Sequence, residues 1–430
     1  MSNLKLIYVV IDGMGDLPIE DLGNKTPLEF AETPNMDFLA SKGKLGLMYT
    51  VGRGIAPESH VAVISILGYD PHSYYIRRGP IEAYGAGLDV RDGYLALRCN
   101  FATLGPKGVI IDRRAGRDLT NEEAFELAQA INRMVRLESH PAEFEFKSTV
   151  NYRGALVIRG KIPLSDKISV MDPVYTSIAG IEVAKMSANM ILRECVPLED
   201  SETARVSADL VNEFVFKSHM VLDKHEVNRR REARGKLKAN AVIVRGAGNA
   251  LPKLFNICEK YGVNFACLAD MPVEKGVARL SGMHLIEVPF PSSDLAHDCL
   301  IRAEKLLSNL EKYNCFYIHI KGPDEPGHDG NSLLKAKMIS MIDEFFFGRI
   351  LPRIDLKDTV ICVTADHSTP CKLRAHTDDP VPLLISGGKI ESDGIEKFSE
   401  KECRRGSIGV LESGTMLMPL LIKAIKGKSI

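Results

Sequence analysis

At 430 residues the chain exceeds the size at which one core usually stops growing, so two domains, one inserted in the other, are the first expectation. Lys plus Arg (55) nearly balance Asp plus Glu (56), so no global field favours nucleic acid or an anionic membrane, and an anionic substrate must be held by local Arg and Lys. The nine Cys contain no C-x-x-C pair, and no apolar run approaches the roughly 18 residues that span a bilayer, which excludes a disulfide scaffold or zinc knuckle and reads as a soluble, cytoplasmic chain.

In chain order, the β-branched run Leu6–Ile11 predicts a buried parallel strand that stops at Asp12-Gly13-Met14-Gly15. A helix is expected over Pro34–Lys42, then a glycine-bearing stretch from Gly43 to Gly54. Pro57–Gly68 reads as a second helix, with Ser59 near its start and Gly68 at its end; a serine there is by itself an ordinary cap. From about Leu88 to Leu237 basic residues cluster at Arg113, Arg114 and Arg117 and again over Arg229–Arg234, and Asn121–Leu137 has the period of an amphipathic helix. This stretch, 88–237, is taken as an inserted domain, with 1–87 and 238–430 forming the other. Ala241–Gly248, a helical Leu251–Tyr261 and Ala266–Ala269 restore the strand and helix alternation of an α/β sheet. Cys315–Ile320 and Thr359–Val363 are two further buried strands. The first runs into a Pro/Gly loop holding Asp324 and His328, the second into Asp366 and His367. His376 precedes one more apolar strand.

Ligands gather at the carboxyl ends of strands in open α/β sheets. Three strands that each end in Asp or His therefore imply one shared site. Mixed carboxylate and imidazole ligands suit borderline metals such as manganese or zinc better than magnesium or calcium, and two ions about 4 Å apart need about this many ligands. Each residue alone has a bland reading, as a turn former or a satisfied histidine; the recurrence at three strand ends is what carries the inference. His319, inside an apolar strand, reads as core packing, and His60 as a neighbour of Ser59 that does not ligate. A serine hydroxyl becomes a useful nucleophile only beside a base or a metal, and a helix N-terminus offers N–H groups to a phosphoryl group.

Taken together, Val10–Asp16, Pro57-Glu58-Ser59, Arg78–Ala83, Arg98–Phe101, Asp112–Arg117, Asn228 with Arg231, Arg245–Gly248, Glu274–Ala278, Lys321–Gly330, Ala365–Ser368 and His376–Pro382 resemble the alkaline phosphatase superfamily, and within it the archaeal-type cofactor-independent phosphoglycerate mutases. The resemblance implies an alkaline-phosphatase-like α/β sheet sandwiched by helices, with a smaller α/β domain inserted. It implies one metal on Asp324, His328 and His376 and another on Asp12, Asp366, His367 and Ser59, with manganese first and zinc, cobalt or magnesium as alternatives. It implies attack by Ser59 on phosphate, a supporting Lys275, and a substrate clamp of Asn100, Arg113, Arg114, Arg117 and Arg231. The reaction implied interconverts 3-phosphoglycerate and 2-phosphoglycerate without 2,3-bisphosphoglycerate, water being kept out by closure of the inserted domain; homo-oligomerisation stays open. One departure is His60, where the family often has an acidic residue. A phosphatase or sugar-phosphate mutase built on the same core, and a catalytically silent metal-binding protein, remain the alternatives.

Overall fold

The computed structural model describes residues 4–178, 181–184 and 189–430. The chain divides into two compact units, the first made of residues 1–74, 254–270 and 277–430, the second of 75–253 and 271–276. Its strands in chain order are β1 (Lys5–Ile11), β2 (Gly43–Met48), β3 (Leu95–Leu104), β4 (Ile110–Asp112), β5 (Ala142–Ser148), β6 (Arg153–Gly160), β7 (Tyr175–Ile178), β8 (Ile181–Ala184), β9 (Ala241–Gly248), β10 (Phe265–Leu268), β11 (His284–Leu285), β12 (Cys315–Ile320), β13 (Thr359–Thr364), β14 (Val381–Gly387) and β15 (Gly409–Leu411).

The first unit is built on an eight-stranded sheet in the order β11-β10-β12-β1-β13-β14-β2-β15. Strands β12, β1 and β13 are neighbours and parallel, with Ile11 level with Ile320 and Val10 level with Thr364. Every residue of β12 and β13, and all but the first of β1, is buried, as their near-continuous apolar sequences require of strands covered on both faces. Each such large apolar side chain contributes about 1.5–3 kcal/mol. Because the three strands run in one direction, Asp12, Lys321 and Asp366 leave the sheet at the same edge. The antiparallel pairs β13 with β14 and β14 with β2 close the other side of this edge. Strand β2 lies in the stretch read only as glycine-bearing. Its glycines serve close packing rather than a loop, since a Cβ on Gly46 would meet Gly409 O at 2.7 Å.

The second unit carries an antiparallel sheet, β4-β3-β6-β5, with β9 paired to the other side of β3. Leu95, Leu97, Cys99 and Phe101 alternate onto the face covered by the helices Asn121–Met134 and Glu202–Asp223. The alternate residues face the helix Arg78–Gly85, where Ala83 packs on Ala96, Ala155 and Val157. Strand β9 therefore belongs here, and not to the first sheet as its alternating sequence context suggests. The boundaries expected at 88 and 237 fall inside this unit for that reason. Residues 271–276 join it because helices Arg78–Gly85 and Pro272–Leu280 touch backbone to backbone at Gly85 and Gly276, where any Cβ would collide with Pro272 O or Ile81 O. The helix expected from Leu251 starts only at Ile257, capped by Asn256, whose side chain accepts from Cys258 and Glu259. Among the described residues no helix is long and apolar enough to cross a membrane.

Candidate metal centre

Asp12 follows β1, Asp324 and His328 belong to the short helix after β12, and Asp366 and His367 follow β13. Gly13 makes this convergence sterically feasible: its φ is +62° and a Cβ there would lie 2.7 Å from Asp324 Cα. Its N–H donates to Asp366 Oδ1 at 3.2 Å. Lys335, fully buried on the helix Ser332–Ile342, fixes the surrounding loops by donating to Gly15 O, Asp16 Oδ2 and Thr369 O at 3.0, 2.8 and 2.9 Å.

Three groups of ligand atoms come within 4.8 Å of one another: Asp324, His328 and His376; Asp12, Asp324 and His367; and Asp12, His319 and Asp366. In the first, Asp324 Oδ1 lies 3.4 Å from both His328 Nε2 and His376 Nε2, and the two Nε2 atoms are 3.2 Å apart. The Nδ1 of His376 is 2.8 Å from Pro57 O and that of His328 is 3.1 Å from Arg374 O. A carbonyl only accepts, so both Nδ1 atoms carry a proton and both Nε2 atoms are turned toward Asp324 Oδ1. His367 is oriented in the same way. Thr369 Oγ1 donates to Asp324 Oδ1 at 2.7 Å and hence accepts from His367 Nδ1 at 3.0 Å. The Nε2 lone pair of His367 then faces Asp12 Oδ1 and Asp366 Oδ2, each 3.4 Å away, and Ser59 Oγ at 3.2 Å.

Lone pairs facing carboxylate oxygens repel unless a cation lies among them. Asp12 Oδ1 and Asp366 Oδ2 are also buried with no hydrogen-bond partner, an arrangement that a bound ion or water would satisfy. The clustered Asp and His residues are thus compatible with metal binding. The protonation tendencies express the same strain. Burial, reinforced by Asp12, pushes the Asp366 carboxyl well up, whereas Asp12 stays below its ordinary value despite burial because Lys321 Nζ is 2.9 Å away. Burial and the neighbouring His376 push His367 down to about 3; His376 is raised to about 9 against burial by its hydrogen bond to Asp324.

Ser59 is the first residue of the helix Ser59–Ile66, whose N-cap is Glu58, and the Ser59 hydroxyl is directed to His367 Nε2. His60 is in none of the three ligand groups among the described residues. His319 is fully buried, as expected of core packing, yet its Nε2 lies 3.9 Å from Asp366 Oδ2 and its Nδ1 2.9 Å from Tyr317 Oη. Thr369 and Lys321 also went unmarked by spacing, since neither is a typical metal ligand; only their contacts reveal what they orient.

A family model for 2,3-bisphosphoglycerate-independent phosphoglycerate mutase matches residues 40–228. A protein of Aeropyrum pernix bearing that name is 41% identical, over 99% of this chain and 100% of its own length. One from Thermococcus kodakarensis is 40% identical, over 98% and 97%. The chain belongs to this mutase family. Among solved structures, the PH0037 protein from Pyrococcus horikoshii matches with TM-score 0.78 and 31% identity, covering 100% of this chain and 99% of that one. The cofactor-independent phosphoglycerate mutase from Thermoplasma acidophilum matches with TM-score 0.60 and 33% identity, covering 97% and 99%. Family and fold together support an enzyme with a phosphoglycerate-mutase type of reaction.

Of the residues that the mutase resemblance assigns to a clamp, all lie in the second unit, as does Lys275 on the helix Pro272–Leu280. Asn100 lies on β3 with its Oδ1 buried and unsatisfied. Arg113 is forked onto Asp172, with 2.8 Å from Nε to Oδ1, and lies over the Tyr175 ring. Arg114 precedes the 3-10 turn Ala115–Arg117, and Arg117 is exposed at φ +59°. Arg231 is held by the fold itself. It is fully buried, and its guanidinium donates to Leu237 O, Asp118 O, Glu123 Oε2, Ala115 O and Asp118 Oδ1, so every N–H is used within the fold. Asn228 is likewise committed, bonding Leu222 O and both backbone groups of Ala239.

Proposed function

We propose that this enzyme interconverts 3-phosphoglycerate and 2-phosphoglycerate through a phosphoserine at Ser59, without 2,3-bisphosphoglycerate. The observation that carries the reading is the Ser59 hydroxyl 3.2 Å from His367 Nε2, beside two buried carboxylates with unsatisfied oxygens. Asp324, His328 and His376 would hold one divalent ion, and Asp12, Asp366, His367 and Ser59 the other, manganese fitting this mixed donor set first. Such ions supply charge neutralisation for an ionising serine and for phosphoryl oxygens. Ser59 Oγ forms a bond to phosphorus as the ester bond to glycerate breaks, and the proton lost by Ser59 is matched by the proton gained on the freed oxygen. The other glycerate hydroxyl then attacks phosphorus, Ser59 leaves, and the proton count is restored. Retention of glycerate between the two steps is what makes the outcome transfer rather than hydrolysis.

The test is an assay started with 3-phosphoglycerate and manganese, with no bisphosphoglycerate, recording isomer and released phosphate in parallel. The expected result is isomer formation well ahead of phosphate release, lost on chelation and restored by manganese, cobalt or zinc better than by calcium. Release of phosphate with no isomer would instead favour a phosphatase.

A further inference from the structure

Alternation along β12 carries Tyr317, His319 and then Lys321 to the side where Asp12 and Asp366 leave the sheet. The contacts agree: Tyr317 Oη is 2.9 Å from His319 Nδ1, His319 Nε2 is 3.9 Å from Asp366 Oδ2, and Lys321 Nζ is 2.9 Å from Asp12 Oδ2. Gly322 then turns the chain at φ +149°, a conformation that a residue with a side chain rarely adopts, and Asp324 goes to His328 and His376. Two oppositely charged residues on one short loop thus serve different groups of ligands.

The two oxygens of Asp12 have unlike surroundings. Oδ2 meets the Lys321 ammonium, while Oδ1 is turned inward to His367 Nε2 at 3.4 Å. Asp366 presents its Oδ2 to the same nitrogen, also at 3.4 Å. Two carboxylates buried side by side repel, and keeping both as anions requires a cation close to them. Burial, and at Asp366 also the charge of Asp12, works against both anions; Lys321 works for both. At Asp324, by contrast, the groups that oppose burial are imidazoles, His376 first and then His367 and His328. The Lys321 side chain is 20% exposed, so its ammonium keeps part of its hydration and remains a charged partner at small desolvation cost.

We propose that Lys321 is a positioning residue for the Asp12, Asp366 and His367 group: its ammonium fixes the outer oxygen of Asp12 and is the resident counter-charge that holds the two buried carboxylates together when no metal is bound. A divalent ion held by the same carboxylates takes over this charge balance, and the ammonium then opposes it as a like charge. Lys321 therefore stabilises the protein without metal and loosens the hold of this group on a divalent ion. The proposal rests on the metal-binding reading above and deepens it.

The experiment titrates manganese into the chelator-treated full-length protein by calorimetry, for wild type, Lys321→Met and Lys321→Arg, and records melting temperatures with and without manganese. Methionine keeps most of the stem and loses the charge, and should tighten one manganese-binding step by about tenfold while leaving the other within about twofold. The melting temperature of the chelated protein should fall further than that of the manganese-saturated protein, since the ion replaces the missing charge. Lys321→Arg keeps the charge and should hold both steps within about threefold of wild type. Where Lys321→Met does not fold, the Arg variant decides, and an affinity altered by about tenfold or more there overturns the proposal. Equal falls in both melting temperatures with unchanged affinity would show a packing role alone and overturn it, as would weaker manganese binding in Lys321→Met. Isomerisation of 3-phosphoglycerate, followed in the same manganese-saturated samples, separates the two readings. Manganese affinities that respond to Lys321 in a protein unable to isomerise would defeat the mutase reading and leave this role standing; isomerisation by a protein whose affinities ignore Lys321→Met would do the reverse.

Discussion

The ligand cluster at the strand ends of the first unit and the arginine face of the second are unlike in sign and alike in kind. In one, carboxylate oxygens and imidazole nitrogens converge; in the other, the Arg78 and Arg98 guanidiniums converge around one carboxylate, that of Glu82. Each unit also holds a buried charge that is fully satisfied. Lys335 uses all three ammonium protons on Gly15, Asp16 and Thr369, and Arg231 uses all five of its donors. The difference teaches how to separate a support from a site. Burial and charge are common to both, and only incomplete hydrogen bonding marks the group that waits for a ligand.

The sharpest way to break this comparison is Ser59→Ala. If Ser59 carries the phosphoryl group, isomerisation and phosphate release should both fall by on the order of 10⁴-fold or more. The melting temperature should barely move, because Glu58 and not Ser59 is the N-cap of the helix. Isomerisation near the wild-type rate would end the phosphoserine mechanism.

Arg231→Met tests the satisfied side of the comparison. Removing a buried fork that joins Asp118 and Glu123 to three backbone carbonyls should cost about 3 kcal/mol in urea unfolding. Calorimetric affinity for 3-phosphoglycerate should stay within twofold of wild type. Unchanged stability with lost affinity would return Arg231 to the clamp.

Glu400 adds a pH dependence next to the satisfied Lys335 and Asp16 pair. Its Oε1 accepts from Asp16 N at 3.2 Å and its Oε2 from Thr26 Oγ1 at 2.6 Å. Burial pushes its carboxyl up to about 7, the bond from Thr26 holding it back. A folded value above the unfolded one means that folding takes up a proton. The contribution is present in full below the ordinary glutamate range and is lost as pH rises through about 7. Wild type should therefore lose on the order of 3 kcal/mol relative to Glu400→Gln between about pH 5 and pH 8. Parallel stability curves for the two proteins would refute this.

The smallest expected effect is at Thr369, which orients both His367 and Asp324 without ligating. Thr369→Val should weaken manganese affinity by about 10- to 100-fold, the usual loss when a ligand's orienting hydrogen bond goes. Titration of the chelated protein with manganese reads it directly, and unaltered affinity would show that the two ligands are held without this hydroxyl.

What the sequence by itself determined is local. The apolar, β-branched runs at Leu6–Ile11, Cys315–Ile320 and Thr359–Val363 specify buried strands, and the Asp and His residues that follow them specify a ligand chemistry. Period and composition suffice for that, because a strand's identity depends on its own residues and on how many of its faces are covered. Only the tertiary structure decided that β12, β1 and β13 are neighbours. It also fixed the histidine tautomers, through the carbonyls of Pro57 and Arg374 and the hydroxyl of Thr369, far away in sequence or easily overlooked. Strand β9 reads locally as a member of the first sheet, yet it pairs with β3, since pairing partners are chosen by long-range register and packing. The arginines make the same point. Arg98 and Arg231 are indistinguishable as letters in a basic sequence, and how far the fold consumes a guanidinium depends on which oxygens the rest of the chain brings to it.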